Sequence, residues 1–157
     1  MYKKKYEHNL NREFPRIPFY KEFNKWSNWG KQLMDMHINY ETITPFNLKQ
    51  ITTDVKAIPK AKLKANKETG IIILDENTTL IGVPPEAWNY KLGNRSALEW
   101  ILDQYKESKP KDPTIAENFN TYKFADYKEQ VIDLLKRVCT VSVETMKIIE
   151  EMKLEKE

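Results

Sequence analysis

The sequence predicts an α+β fold in a single domain, with long N- and C-terminal helices flanking a small antiparallel sheet. Three observations predict it. Apolar residues recur every three to four positions from Phe19 to Tyr40, and again from Phe124 to Met152, which is the period of one helical face. Between them, residues 60–83 change to a period of two, with β-branched runs separated by turn chemistry. The chain has 157 residues, enough for one ordinary core.

The elements follow in order. Residues 1–13 are polar and are expected to form a flexible N-terminal segment, with the domain proper over 14–152 and a charged tail over 153–157. "FPRIPF", from Phe14 to Phe19, reads as extended, because a residue before proline is pushed out of the helical region. A helix of about five turns then carries Phe19, Phe23, Trp26, Gly30, Leu33, His37 and Tyr40 on one face. Trp29, Met34 and Met36 widen that stripe. Phe23, Trp26 and Leu33 are expected to be buried, and His37 reads as a satisfied core histidine.

In "KAKLKANK", Ala61, Leu63 and Ala65 alternate with Lys60, Lys62 and Lys64, giving a strand with one apolar and one lysine face. "GIIIL" and "TTLIGV" form a hairpin around Asp75, Glu76 and Asn77, so about three strands are expected, with Ile72 in the core. Asp75 and Glu76 are expected to be solvated by the turn.

Ser96 and Glu99 make an S-x-x-E capping box, which starts a helix with Leu98, Ile101, Leu102 and Tyr105 on one face. Leu98, Leu102 and one of Trp100 or Ile101 are expected in the core. "KESKPKDP" ends that helix in a basic, proline-broken loop. The last helix carries a seam through Val131, Leu134, Leu135, Val138, Val141 or Ser142, Thr145, Ile148, Ile149 and Met152, of which Leu134, Leu135 and Val138 are expected to be buried.

Composition excludes more than it assigns. The net charge is only +3, too small to mark a nucleic-acid binder by bulk electrostatics. Cys139 is the lone cysteine, so an internal disulfide is impossible, and its apolar neighbours suit a small buried residue. No apolar run is long enough to span a bilayer, and "MYKKKYEHNL" lacks the apolar core of a signal peptide. A cytoplasmic location without a membrane partner is therefore expected.

No metal site and no cofactor are expected. His8 and His37 are far apart, and G-x-S-x-G, P-loop and G-x-G-x-x-G patterns are all missing. "GVPPEAW" contains the Pro-Pro of an amino-methyltransferase tetrapeptide. However, Val83 and Glu86 stand where an amide or acid and a stacking aromatic are needed, so a rigid turn is the better reading. A nuclease would want paired carboxylates with a lysine on adjacent strands, and Asp75 and Glu76 have no E-x-K behind them. The chain is expected not to be an enzyme by itself.

What remains is binding chemistry. Lys91, Asn94 and Arg95 stand at a helix N-terminus, where free N–H groups and the helix dipole attract phosphate. Lys106, Lys109 and Lys111 follow in the next loop, then Asn118, Asn120 and Lys123. Asparagine and arginine can also read base edges in a major groove. Plainer readings stand beside these. A lysine strand face can be simply solvated, and an arginine before a cap can pair with a local carboxylate or pack on the Trp100 ring.

The blocks "FPRIPF", "YKLGNRSALEW" and "TVSVET" carry a resemblance over Phe14 to Met152. The chain resembles the C-terminal specificity region of Type ISP restriction-modification enzymes, which also ends many predicted helicase-methyltransferase proteins. The resemblance implies a target-recognition domain for double-stranded DNA. It also implies a nuclease, a translocating ATPase and an adenine-N6 methyltransferase as neighbouring modules, none of which this chain contains. The alternative is a protein-docking module that packs on such a methyltransferase without DNA contacts of its own.

Overall fold

The computed structural model describes residues 21–53, 59–108, 112–119 and 122–155, with the side chains of 116 and 119 left aside. Eleven elements follow among them. They are α1 (Phe23–Ile38), β1 (Lys49–Thr52), β2 (Ala61–Asn66), β3 (Ile71–Asp75), β4 (Thr78–Ile81), α2 (Pro85–Asn89), β5 (Lys91–Leu92), β6 (Arg95–Ser96), α3 (Ala97–Gln104), α4 (Pro113–Phe119) and α5 (Phe124–Leu154). "FPRIPF" and residues 1–13 lie outside the described residues.

The main sheet is antiparallel in the order β1-β4-β3-β2. One face carries Leu63, Ile72, Leu74 and Leu80, all buried in one core with Leu98 and Leu102 of α3. Trp88 of α2 and Val131, Ile132, Leu135 and Cys139 of α5 complete it. The alternation in β2 is as the sequence predicts: Leu63 is buried and Ala61 and Ala65 half-buried, while Lys62 and Lys64 are exposed. Burial of the Cys139 thiol pushes its pKa up to about 12, so it packs as an apolar side chain and carries no thiolate chemistry.

Three strands were expected in the sheet and four are present. The additional strand, β1, has all four residues exposed, so no apolar alternation marks it. It is a strand because Gln50 and Ile51 pair with Leu80 and Thr79. The segment before it is strapped to α5: Phe46 N–H donates to the Lys136 carbonyl (3.0 Å), and Arg137 Nη1 to the Ile43 carbonyl (2.6 Å).

The N-terminal helix also differs from its expected form. It starts at Phe23, and Phe23 is 75% exposed rather than buried. The anchor is Trp29, 5% exposed, whose indole N–H donates to Glu151 at 3.0 Å. Trp26 and Leu33 are half-buried, and the Trp26 ring meets Trp29 edge-on at 5.3 Å. This helix rests on α5 along one line, so only the middle of its wide apolar stripe is covered. His37 is exposed, not a core residue. Its ring bonds the Leu33 carbonyl and the Tyr90 hydroxyl (2.9 Å), which ties α1 to the chain ahead of β5.

The expected core of α3 is present: Leu98 and Leu102 are buried and Ile101 half-buried, whereas Trp100 is 42% exposed. In α5, Leu135 is buried, and Leu134 and Val138 are half-buried at its flanks. The capping box is complete. Glu99 N–H donates to Ser96 Oγ (3.3 Å), and Ser96 N–H donates to the Glu99 carboxylate (2.8 Å). Ser96→Ala is expected to lower stability by about 1 kcal/mol, the usual loss for a helix N-cap. Thermal unfolding checks it, and an unmoved melting temperature would mean that the cap contributes nothing.

Asp75 corrects the solvated-turn expectation. It is 2% exposed. Its Oδ1 accepts the backbone N–H groups of Asn77 (2.8 Å) and Thr78 (2.7 Å), closing the β3–β4 turn. Its Oδ2 pairs with Lys128 Nζ of α5 at 2.8 Å, and the same ammonium donates to Thr78 Oγ1. Burial pushes the Asp75 carboxyl up, but Lys128 and the two N–H donors outweigh that and hold it below its ordinary value.

Candidate nucleic-acid interface

The mouth of α3 is built by a two-strand hairpin. Lys91 pairs with Ser96 and Leu92 with Arg95, and Gly93 takes φ +72° in the turn. A positive φ suits glycine there, since it has no Cβ to clash. Trp100 locks the hairpin to the helix, its indole N–H donating to the Leu92 carbonyl at 2.8 Å.

Arg95 is thereby held over its own helix. Its Nη1 donates to Asp103 Oδ2 at 2.7 Å, and its guanidinium lies 5.3 Å from the Trp100 ring centroid. These are the two local partners that the sequence offered as the plainer account of this residue. Asp103 also accepts from Lys106 Nζ at 2.9 Å. Lys106 and Arg95 together hold the Asp103 carboxyl below its ordinary value. A guanidinium has five N–H donors, so one bond to Asp103 leaves others for a ligand.

Two neighbouring grooves run beside β2. The first, of about 260 Å³, is lined by Lys60, Lys62, Lys106, Glu107, Tyr122 and Lys123. The second, of about 300 Å³, is lined by Lys64, Arg95, Glu99, Asp103 and Lys106 among others. Lys106 borders both, with Lys60, Lys62 and Lys123 at the first and Lys64 and Arg95 at the second. The loops that carry Lys106 and Lys123 are pinned. Tyr122 Oη donates to the Tyr105 carbonyl (2.9 Å), and Phe124 N–H donates to Glu107 (3.0 Å). Glu99, the remaining carboxylate in the second groove, is engaged by Lys67 at 2.8 Å.

The residues expected at the interface thus divide. Arg95, Lys106 and Lys123 come together around the grooves. Lys91 and Asn94 are exposed on the hairpin and do not line them. Asn118 is exposed on α4, where its amide donates to the Thr114 carbonyl at 2.9 Å. Lys109, Lys111 and Asn120 lie outside the described residues. Lys60, Lys62 and Lys64, which the sequence offers as a basic strand face that either binds or is simply solvated, border the grooves as well. Their alternation was visible in the sequence, but their nearness to Lys106 and Lys123 comes only from the fold.

Among the described residues, no three His, Cys, Asp or Glu side chains cluster as a metal site. Among those residues too, no helix is long and apolar enough to cross a membrane.

No curated protein matches the chain. Solved structures do, and three of them each cover 96% of this chain. The cryo-EM structure of the DrdV–DNA complex is 53% identical with a TM-score of 0.86. A nuclease-deletion mutant of the Type ISP restriction-modification enzyme LlaGI, in complex with a DNA substrate mimic, is 31% identical with a TM-score of 0.67. The ATP-dependent Type ISP restriction-modification enzyme LlaBIII, bound to DNA, is 30% identical with a TM-score of 0.68. The chain spans 16%, 12% and 10% of those three chains. The family described as the Type ISP C-terminal specificity domain matches residues 1–134, and this chain belongs to that family.

Proposed function

We propose that the chain is a sequence-specific recognition domain for double-stranded DNA in a restriction-modification system, without catalysis of its own. It works in the cytoplasm beside adenine-N6 methyltransferase and helicase-nuclease modules, fused or separate. The observation that carries the reading is the 53% identity and TM-score of 0.86, over 96% of the chain, to a protein solved in complex with DNA. The contacts belong to Lys91, Asn94 and Arg95 at the mouth of α3, Lys106, Lys109 and Lys111 after it, and Asn118, Asn120 and Lys123 ahead of α5. The two neighbouring grooves, lined between them by Arg95, Lys106 and Lys123, support this assignment.

Titration against duplex at several salt concentrations tests it. Binding should weaken steeply with salt, because each neutralised phosphate releases counterions. Arg95→Ala is expected to lower the salt slope by about one unit, as for loss of one phosphate contact. Its melting temperature should move little, since a half-exposed ion pair contributes only about 0–1 kcal/mol. Unchanged binding with a lowered melting temperature would return Arg95 to the fold alone.

A second reading has one observation behind it. An apolar hollow of about 280 Å³, lined by Tyr40, Tyr90, Leu92, Trp100 and Ile101 among others, suits docking onto a methyltransferase. Association through that hollow would be insensitive to salt, which separates it from DNA binding.

A further inference from the structure

β2 ends the sheet order, so one side of its backbone has no strand partner among the described residues. Lys60, just ahead of β2, and Lys62 and Lys64 within it are exposed, and Lys123 shares the 260 Å³ groove with the first two. Among the described residues, none of these four ammonium groups has a carboxylate partner. The acidic residues of the two grooves are already engaged. Asp103 is held by Arg95 and Lys106, Glu99 by Lys67, and Glu107 accepts the Phe124 N–H.

The strand is also distorted. Its register with β3 shifts between Ala61 and Lys64, and buried Leu63 sits at φ +42°. Leucine is strained there, and a bulge re-aims the side chains on either side of it.

We infer that Lys60, Lys62, Lys64 and Lys123 form a phosphate track, which grips the backbone of a DNA duplex and sets its register without reading bases. The inference rests on the DNA-recognition reading and gives this surface the positioning part of that task. Lys60, Lys62 and Lys123 line the first groove and Lys64 the second, so the four ammonium groups lie along both grooves. An ammonium on a long flexible stem suits diffuse phosphate charge better than the planar pattern of a base edge. The competing account is that lysines on an edge strand only guard against pairing with another chain. That account predicts no effect on DNA.

The test compares wild type, a triple variant (Lys60→Gln, Lys62→Gln, Lys64→Gln), Lys123→Gln and a triple lysine-to-arginine variant. Each is titrated against several unrelated mixed-sequence duplexes at several salt concentrations, beside a melting curve. The triple glutamine variant should keep its melting temperature and lose about 2–3 units of salt slope, roughly 0.9 per lost contact. Its affinity should fall by a similar factor on every duplex, and Lys123→Gln should lose about one unit. The arginine variant should retain the wild-type slope. An unchanged slope, or a loss confined to one sequence, overturns the track while leaving the DNA reading intact. Wild-type protein that binds no duplex at any salt overturns both.

Discussion

Lys128→Met is expected to destabilise the fold by about 3–5 kcal/mol, the range for removing one partner of a buried ion pair. Methionine keeps most of the apolar stem and removes the ammonium. Asp75 then keeps its two backbone donors but remains a charge inside the core edge, 2% exposed and without its counter-ion. Asp75→Asn alone should cost less, because the amide oxygen can still accept from Asn77 and Thr78. The double variant should be more stable than Lys128→Met, since no uncompensated charge remains. Additive losses in this cycle would mean that the pair is not coupled.

The same pair sets a pH dependence with a definite sign. Asp75 is held below its ordinary value, so the unfolded chain binds its proton more readily than the folded one. Its contribution is fully present above the ordinary aspartate range near pH 4 and is lost as pH falls through the lowered folded value. The gap between wild type and Lys128→Met should therefore narrow in acid. Equilibrium unfolding at neutral and acidic pH measures it.

Gly70→Ala should have a comparable effect for a different reason. Gly70 joins β2 to β3 at φ +63°, and a Cβ there would stand 2.4 Å from the Val83 carbonyl oxygen. That atom is backbone and cannot swing aside. Gly70 also anchors both ends of the contact, because its own carbonyl accepts from Gly82 N–H (3.2 Å) and Val83 N–H (3.0 Å). Backbone strain and overlap together should cost about 2–5 kcal/mol. Gly93→Ala supplies the comparison. At φ +72° it carries similar backbone strain, but nothing lies within 4 Å of its added Cβ. It should lose only the backbone part, about 1–2 kcal/mol. Equal losses at the two positions would show that contact with Val83 contributes nothing.

Features encoded within a few residues were legible before the structure. The Ser96–Glu99 box, the alternation of Ala61, Leu63 and Ala65, and the period of α5 each need only neighbouring positions. Features made by distant partners were not. Nothing near Asp75 announces Lys128, so a buried ion pair reads as a wet turn. β1 has no pattern of its own and exists because β4 offers it an edge. Phe23 and Trp29 look alike on a wide aromatic stripe, and the position of Glu151 decides which is covered. At the candidate interface, the identity of the basic residues was legible and their grouping was not. Arg95 had Asp103 and Trp100 in the helix that directly follows it, but the convergence of Lys60, Lys106 and Lys123 needs β2 and α5 in place.

The course of α5 has a consequence for how the chain acquires its structure on the ribosome. Val131, Ile132, Leu135, Cys139 and Val143 supply the core opposite the sheet, and they are the last of its residues to be synthesised. Until they emerge, Ile72, Leu74 and Leu80 share their core with no helices but the short α2 and α3 among the described residues. The sheet should therefore remain open to chaperones until α5 is synthesised, and collapse only once that helix is free of the exit tunnel. Stalled nascent chains ending before Val131 should be sensitive to protease throughout residues 60–105. Chains extended so that α5 is wholly exposed should become resistant in one step.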